Sequence, residues 1–409
     1  MDSNLLSMDK MLVLDQVLEI ILLLVRGYWH SSTDGLIDFI SSAFAQFPFA
    51  CLESSLAEPG SQTELRGKRA ASKLNSTICE LIFAIPLSSL NDGATAVVQC
   101  KDQILDKIEI SAEYTVNELQ RLVHRFDTLL LKNNSTSTAS QSHDHTLDNE
   151  IVSKLFLCLT VMLTTECPVD FENLLSRFRD FQLSIVNPII SGSVSKASAP
   201  EKLLRKAIAC IHGPMCSSIC EIIRRASVVD YLGNKYFESS EPFCLLFECA
   251  ITMLKSSALK QYSYLVESSC QVDSYGGGGG IGSVHSSKSL HHATEEQRAI
   301  GSLIESIHIL LVRKCSTILI PTHIAQSLCE TIQLFFTFSS AKEGSAYSHG
   351  TLYDGMHDSC VYRLFDIYYH APLTGEDMPN LSKVMFTALS NSHVSLDHQS
   401  YFLRLLFER

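Results

Sequence analysis

The sequence predicts an all-α protein built from many consecutive helices. Across residues 151–247 apolar side chains recur at the three- and four-residue spacing of an amphipathic helix, and similar segments continue nearly to Arg409. Prolines stand where these runs begin, which suits proline because N–H groups of a first helical turn have no helical partner. The alternating pattern typical of strands is nearly absent. Together these observations predict antiparallel helical pairs stacked side by side.

The composition is that of a folded protein. Of the 409 residues, 46% are hydrophobic and 19% are charged, which is too apolar for a disordered chain. The net charge of −12 disfavours nucleic-acid binding through a global positive field and leaves only a local basic patch for that role. The first apolar run, residues 11–25, is interrupted by Asp15 and Glu19, so we expect no membrane insertion.

The cysteines and the N-terminus favour an intracellular location. The chain has 14 cysteines, and several of them lie within apolar helical stretches, as buried reduced thiols do. No basic and apolar secretory signal is recognisable at the N-terminus. We therefore expect a cytoplasmic or nuclear protein, not a secreted one.

Residues 1–132 form the predicted N-terminal helical region. Thr115 and Glu118 match a capping box, and Leu119, Leu122 and Phe126 then follow along one face of a helix. We expect Leu122 and Phe126 to be buried between helices. The predicted helices of this region lie near residues 7–29, 33–47, 72–86, 93–109 and 115–132.

A polar linker, residues 133–147, precedes the predicted central region, residues 148–270. Pro168, Pro200, Pro214 and Pro242 mark helix starts there, and Leu155 and Leu159 are predicted core residues. The predicted helices lie near residues 148–165, 168–184, 200–211, 214–226, 242–256 and 258–269.

A Gly/Ser-rich flexible loop, residues 271–292, precedes the predicted C-terminal region, residues 293–409, in which Leu311 is a predicted core residue. Helices are predicted near residues 294–319, 322–338, 358–369, 380–390 and 395–408. No fixed repeat period survives counting. An irregular α-solenoid of the HEAT or armadillo kind and a multi-helix bundle therefore both remain open.

We predict no cofactor and no resident metal. The glycine tract within residues 271–292 contains a formal G-x-G-x-x-G, but no helix start follows it at once, as a phosphate cradle requires. Cys210, His212, Cys216 and Cys220 are clustered, but their spacing matches no zinc module, which favours core packing.

The doublet His357-Asp358 supports an enzymatic alternative. Helical metal-dependent phosphohydrolases of the HD type use such a doublet with one upstream His and one downstream Asp as metal ligands. His323 and either Asp377 or Asp397 are available for those positions. The doublet adjoins a Gly/Ser-rich segment and has no further supporting motif, so the end of a surface loop is the simpler interpretation.

Two sequence features suggest charge-based roles. Arg66, Lys68, Arg69 and Lys73 form the densest basic run, which suits either phosphate contact or a solvated approach to a helix. Ser227 follows two arginines, as in sites preferred by basophilic kinases, although arginines also suit a helix C-terminus.

The terminal helix is apolar over more than one face. Leu396, Leu403 and Phe407 lie on one stripe, while Phe402 and Leu405 widen it. Phe402 and Leu405 therefore either contact a partner or a second copy, or lie wholly inside the monomer.

Absent catalytic motifs and a helical architecture favour a non-enzymatic scaffold or adaptor that binds other proteins, as a subunit of a larger complex. The identity of those partners is not encoded in any recognisable motif. Two alternatives are the HD-type phosphohydrolase and a nucleic-acid-associated subunit that uses the local basic patch.

Overall fold

The structure is a computed structural model. Helices, contacts and exposed surfaces are given for the residues that it describes. These are residues 8–28, 62–84, 108–121, 124, 149–165, 170–190, 199–272, 284–337, 352, 356–372, 377–391 and 396–408. Apart from short turns they are helical, and no strand occurs among them. The predicted all-α class is therefore confirmed.

The first six described helices lie before residue 229. They are α1 (Met8–Tyr28), α2 (Gln62–Ala84), α3 (residues 108–121), α4 (Asn149–Thr164), α5 (Phe171–Ile190) and α6 (Ala199–Val228).

The single-turn helix α7 (Asp230–Gly233) follows and continues directly into a π-helical turn, Asn234–Glu238. The remaining described helices are α8 (Ser240–Val272), α9 (Val284–Arg313), α10 (Thr322–Phe336), α11 (Asp358–His370), α12 (Asp377–Asn391) and α13 (Leu396–Glu408).

The chain divides into two compact units. Unit 1 comprises Met1–Phe181 and Lys196–Ser218, and unit 2 comprises Gln182–Ser195 and Ile219–Arg409. In unit 1, α2 packs against both α1 and α4; in unit 2, α8 packs on α9 and α10, α9 on α11, α10 on α12, and α11 on α13. The predicted division into three regions was based on polar linkers in the sequence and not on contacts between helices, and it stays a prediction. Those regions are residues 1–132, 148–270 and 293–409.

The core of unit 1 is centred on α4. Leu155 and Leu159 are buried as predicted, and the ring of Phe156 packs against those of Phe178 and Phe181 on α5. Aromatic pairs of this kind stabilise a fold beyond the effect of their buried area. Leu122 and Phe126, the other predicted core residues of this unit, lie outside the described residues.

The core of unit 2 contains an aromatic cluster contributed by three helices. The ring of Phe365 on α11 packs against those of Phe336 on α10 and Phe402 on α13. Tyr368 also packs against Phe402, and its hydroxyl lies 2.5 Å from the Ser382 hydroxyl of α12. Leu311 on α9 is buried, as predicted.

Two predicted helix breaks are wrong. Pro214 lies inside α6, where its missing N–H and its ring cost about 3 kcal/mol. The helix continues because Ile211 and Met215, on either side of it, are completely buried. Likewise α8 runs through Ser256 and Ser257, both buried, and the Ser256 hydroxyl donates to the helix's own Met253 carbonyl at 2.9 Å.

Three predicted helix starts are also wrong. Thr115 lies inside α3, where its hydroxyl donates to the Ser111 carbonyl at 2.8 Å instead of capping a free N–H group. Helix α9 begins at Val284, before Thr294, so helix occupies the end of the predicted loop 271–292. Helix α2 begins at Gln62, so the basic run lies on a helix and not ahead of one.

One described helix is long and apolar enough to cross a membrane. It is the Ser240–Gln261 part of α8, and 78% of it is buried inside the fold. A core helix of a soluble protein passes the same test of length and composition.

Candidate functional site

An open groove lies between α10 and α12. Its volume is about 630 Å³, and its floor includes Cys329, Phe336 and Leu381, all of which are buried. Phe336 is held from behind by its stacking on Phe365, with 6.2 Å between ring centroids. The floor is therefore apolar and fixed by the core of unit 2.

The walls of the groove are polar. Gln333 of α10 and Asn380 of α12 are exposed, and no hydrogen bond joins the carboxamide of either one to another described residue. Each carboxamide can donate and accept hydrogen bonds. The two walls therefore offer peptide-like polar groups above an apolar floor.

The charges at the groove are unequally compensated. The Glu330 carboxylate lies 2.7 Å from the ammonium of Lys255 and also accepts from the Gln326 amide at 3.5 Å. Lys383 is exposed and makes no ion pair with any described residue. Within the described part of the chain, the groove therefore carries one uncompensated positive charge.

Helix α1 has a second candidate surface. Its inner side buries Met11, Leu18 and Leu22 against α2. Its opposite side, here called the α1 outer surface, exposes six large apolar side chains. They are Leu12, Val13, Val17, Ile20, Leu23 and Leu24, between 42% and 67% exposed. A helix that is apolar all round is normally covered on all sides.

Of the two interpretations of Phe402 and Leu405 on α13, the structure favours burial inside the monomer. Phe402 is fully buried and Leu405 is 5% exposed, because Phe402 packs against Phe365 and Tyr368 of α11. These two residues therefore belong to the core of unit 2, as the alternative interpretation held. The exposed apolar residues of α13 are Leu396, Leu403 and Phe407.

The predicted basic patch is divided between two roles. Arg66, Lys68 and Arg69 are exposed on α2. The ammonium of Lys73 instead lies 3.1 Å from an Asp15 carboxylate oxygen and 3.2 Å from one of Glu150. Lys73 therefore forms ion pairs between helices, and the basic patch consists of the other three residues.

Lys73 belongs to an ionic cluster that joins α1, α2 and α4. The Lys154 ammonium lies 2.9 Å from Glu19 and 3.2 Å from Glu150, and it donates to the Thr77 hydroxyl at 2.7 Å. Thr77 in turn donates to Asp15 at 2.7 Å. We use the name ionic cluster for the five charged residues Asp15, Glu19, Lys73, Glu150 and Lys154.

The ionic cluster shifts the pKa values of Glu19, Lys73 and Lys154 toward their charged forms. The hydrogen bond from Lys154 lowers the pKa of Glu19, against the opposing effect of burial. Burial lowers the pKa of Lys73, but hydrogen bonds to Asp15 and Glu150 outweigh it, so the net shift is upward. The cluster therefore stabilises charges for packing rather than poising a group for proton transfer at neutral pH.

Ser227 lies in the last turn of α6. Its hydroxyl donates to the Arg224 carbonyl at 2.7 Å, and the guanidinium groups of Arg224 and Arg225 both bind Glu221. The arginines that suggested a kinase site thus form ion pairs within their own helix. Phosphorylation of Ser227 stays a prediction.

The His357-Asp358 doublet forms the start of α11. Nδ1 of His357 accepts from the Ser359 amide at 3.3 Å, which caps the helix. Asp358 lies 3.4 Å from Nε2 of the buried His398. Both residues thus have structural partners in the described part of the chain.

No metal centre is formed where side chains are described. Among those residues no group of three or more His, Cys, Asp or Glu side chains is arranged to hold a metal ion. His212 and Cys216 are buried on α6, in keeping with the core packing expected for their cluster. The G-x-G-x-x-G glycines lie outside the described residues.

Sequence reasoning missed the groove and the α1 outer surface. Gln333 and Asn380 are far apart in sequence, and nothing local marks them as neighbours across a groove. The α1 outer surface did leave a signal, because Val13, Val17, Ile20 and Leu24 make the predicted helix 7–29 apolar on a second side.

No protein-family model, curated protein or solved structure matches this chain. Any function assigned to it therefore rests on the fold and on the geometry of these surfaces.

Proposed function

We propose that this chain is a non-enzymatic helical scaffold that binds other proteins inside the cell, as a subunit of a larger complex. The main support for this proposal is the α1 outer surface, whose six apolar side chains are not covered by any described part of the chain. Exposed apolar surface of this kind is typical of interaction sites.

The spacing of the exposed residues favours a helix as the bound element. Val13, Val17, Ile20 and Leu24 follow one another at intervals of four, three and four residues. This is the spacing at which one helix packs along another. The proposed contact is therefore an amphipathic helix of a partner laid along α1.

The cysteines support a reducing compartment, either cytoplasm or nucleus. The cysteines whose side chains are described form no disulfide bonds, and Cys79 and Cys158 are completely buried. Burial raises the pKa of Cys79 to about 12, which keeps this thiol protonated and unreactive. Such thiols serve packing, which is consistent with a scaffold.

A charge-insertion experiment tests the proposal. The double variant Val17→Glu/Ile20→Glu places two carboxylates on the α1 outer surface. Because both residues are about half exposed, at 46% and 59%, the chain should still fold. Tagged wild-type and variant chains are expressed in the source cells at equal levels, and their co-purified proteins are compared by quantitative mass spectrometry. The variant should lose at least one partner about tenfold or more.

A matched control is Gln120→Glu, which adds a carboxylate at an exposed polar position of α3 instead of α1. This control should retain the partners, and circular dichroism should show both variants to be folded. Equal partner sets for the wild-type and double-variant chains would remove the basis of the proposal. So would a partner that the Gln120 control loses equally.

A further inference from the structure

We propose that the groove between α10 and α12 binds an extended, acidic segment of a partner protein. This inference rests on the proposed protein-binding function, but it concerns a different surface from the α1 outer surface and a different conformation of the bound chain. The groove combines an apolar floor, carboxamides that have no hydrogen-bond partner among the described residues, and one cation without a described counter-charge. Each of these features constrains the ligand.

The carboxamides favour a bound main chain. Gln333 and Asn380 lie on opposite walls and form no side-chain hydrogen bonds with other described residues. An extended peptide exposes N–H and C=O groups along its length, and each carboxamide can pair with both kinds. A helix has already paired these groups internally and offers the walls none of them.

The length of the groove fits a short extended segment. Gln326 and Gln333 are two turns apart on α10, a distance of about 10 Å along the helix axis. Three residues of an extended chain span about the same distance. Successive side chains of such a chain point to opposite sides, so one of them can rest on Phe336 and Leu381 in the floor.

The charge of the groove selects for an acidic side chain. Glu330 is compensated by Lys255, whereas Lys383 has no carboxylate partner among the described residues. An Asp or Glu of the bound segment would supply that partner, and a Lys or Arg would be repelled. Lys383 is therefore the residue that we expect to set the sequence preference.

The test uses arrays of acetylated nine-residue peptides, which are too short to form stable helices alone. Each peptide carries Asp, Asn or Lys at its centre, a leucine two positions earlier, and mixed residues elsewhere. The purified full chain should bind the Asp set about tenfold more strongly than the Lys set. Lys383→Glu should reverse that order, which a merely structural role of Lys383 would not do.

Two further variants separate main-chain from charge recognition. Gln333→Ala and Asn380→Ala should each weaken binding to all three peptide sets about three- to tenfold, without changing their order. Arg298→Glu reverses an exposed cation on α9, outside the groove, and should leave binding unchanged. Circular dichroism and melting temperature establish that each variant is folded.

Other outcomes overturn the inference. These are no binding to any nine-residue peptide, an unchanged charge preference in Lys383→Glu, or an equal response in Arg298→Glu. The Val17→Glu/Ile20→Glu chain is run on the same arrays and should bind the peptides normally. Suppose that no peptide binds on the arrays, but the Val17→Glu/Ile20→Glu chain loses its co-purified partners as expected. That result would reject the groove and leave the proposed function standing.

Discussion

Asp15 is the most enclosed charged residue in the described part of the chain. It is 1% exposed, accepts from Thr77 at 2.7 Å and lies 3.1 Å from the Lys73 ammonium. A carboxylate so enclosed is stable only because both oxygens have polar partners. Asp15 therefore fixes how α1 and α2 pack in unit 1.

Asp15→Ala should lower the free energy of unfolding by roughly 1–3 kcal/mol, because it removes two buried polar contacts. The range extends down to about 1 kcal/mol because the Lys73 ammonium is not left unpaired: it keeps Glu19 and Glu150 as ion-pair partners, and its side chain is 26% exposed. Urea unfolding measures the change. The exposed Asp9→Ala on the same helix should stay within about 0.5 kcal/mol of wild type, and equal losses in both variants would contradict the account.

The lowered pKa of Glu19 predicts acid sensitivity. Its folded-state pKa lies below the ordinary value of 4.5, so its contribution to stability is complete above 4.5 and is lost as pH falls through the folded-state value. Wild-type chain should therefore melt higher than Glu19→Gln at pH 6, and the gap should narrow as pH falls below 4.5. Melting temperatures across this range measure the gap, and a constant gap would reject the assignment.

The two phenylalanines of α13 should differ strongly in their response to truncation. Phe402→Ala empties a fully buried site against Phe365 and should cost about 3–5 kcal/mol of unfolding free energy. Phe407 is 89% exposed, so Phe407→Ala should change stability by less than about 0.5 kcal/mol. Thermal or urea unfolding measures the stability of both variants. Similar losses of stability in the two would contradict the packing of α13 described above.

At this scale the sequence predicted burial well where one side of a helix was apolar, as for Leu155 and Leu159. It could not choose between the sides of α13, because apolar residues occupy more than one of them. The ionic cluster could not be predicted from the sequence either. Lys154 and Glu19 are 135 positions apart, and no local pattern pairs residues across such a separation.

Helix α6 shows a conflict between local propensity and packing at the scale of a whole element. Gly213 and Pro214 are both unfavourable inside a helix, and Pro214 predicted a break. Burial of the surrounding apolar residues overrides them. Helix boundaries in this chain are thus set by tertiary contacts, which the sequence does not display residue by residue.

Gly213→Ala should stabilise the protein by no more than about 0.5 kcal/mol, because crowding of a helical side chain by the following Pro214 offsets part of the entropy gain. Outside the two flanking residues and the backbone of its own helix, a Cβ atom at Gly213 would meet no atom within 4 Å. The matched control is Gly301→Ala on α9, where the new Cβ would lie 3.2 Å from Sγ of Cys360 and would offset the gain. Urea unfolding should rank Gly213→Ala above Gly301→Ala, and the reverse order would contradict the packing described.

The capping-box prediction failed for a related reason. The Thr115-to-Glu118 pattern is the same whether it begins a helix or lies inside one. Inside α3, Thr115 bonds to the carbonyl four residues earlier, and Glu118 pairs with Arg121. Helix type was thus predictable from periodicity, whereas this start was not.

At the scale of the whole molecule, two surfaces distinguish this chain from a self-contained helical fold. The α1 outer surface is apolar where water would favour polar residues, and the groove between α10 and α12 has carboxamides without described partners above an apolar floor. Each lies on helices whose other sides are fixed by a well-packed core. Rigid helices that present such surfaces are suited to holding partners in a defined geometry.

The most direct test of the scaffold account places a photo-crosslinking amino acid, p-benzoylphenylalanine, at Ile20 on the α1 outer surface. The tagged chain is irradiated in its source cells, purified under denaturing conditions and analysed by mass spectrometry. A matched chain carries the same amino acid at Lys68, which is exposed on α2. The account predicts a covalent adduct with a second protein from position 20 and not from position 68. Crosslinks from position 20 confined to the chain itself or to lipid, or no adduct at all, would contradict it.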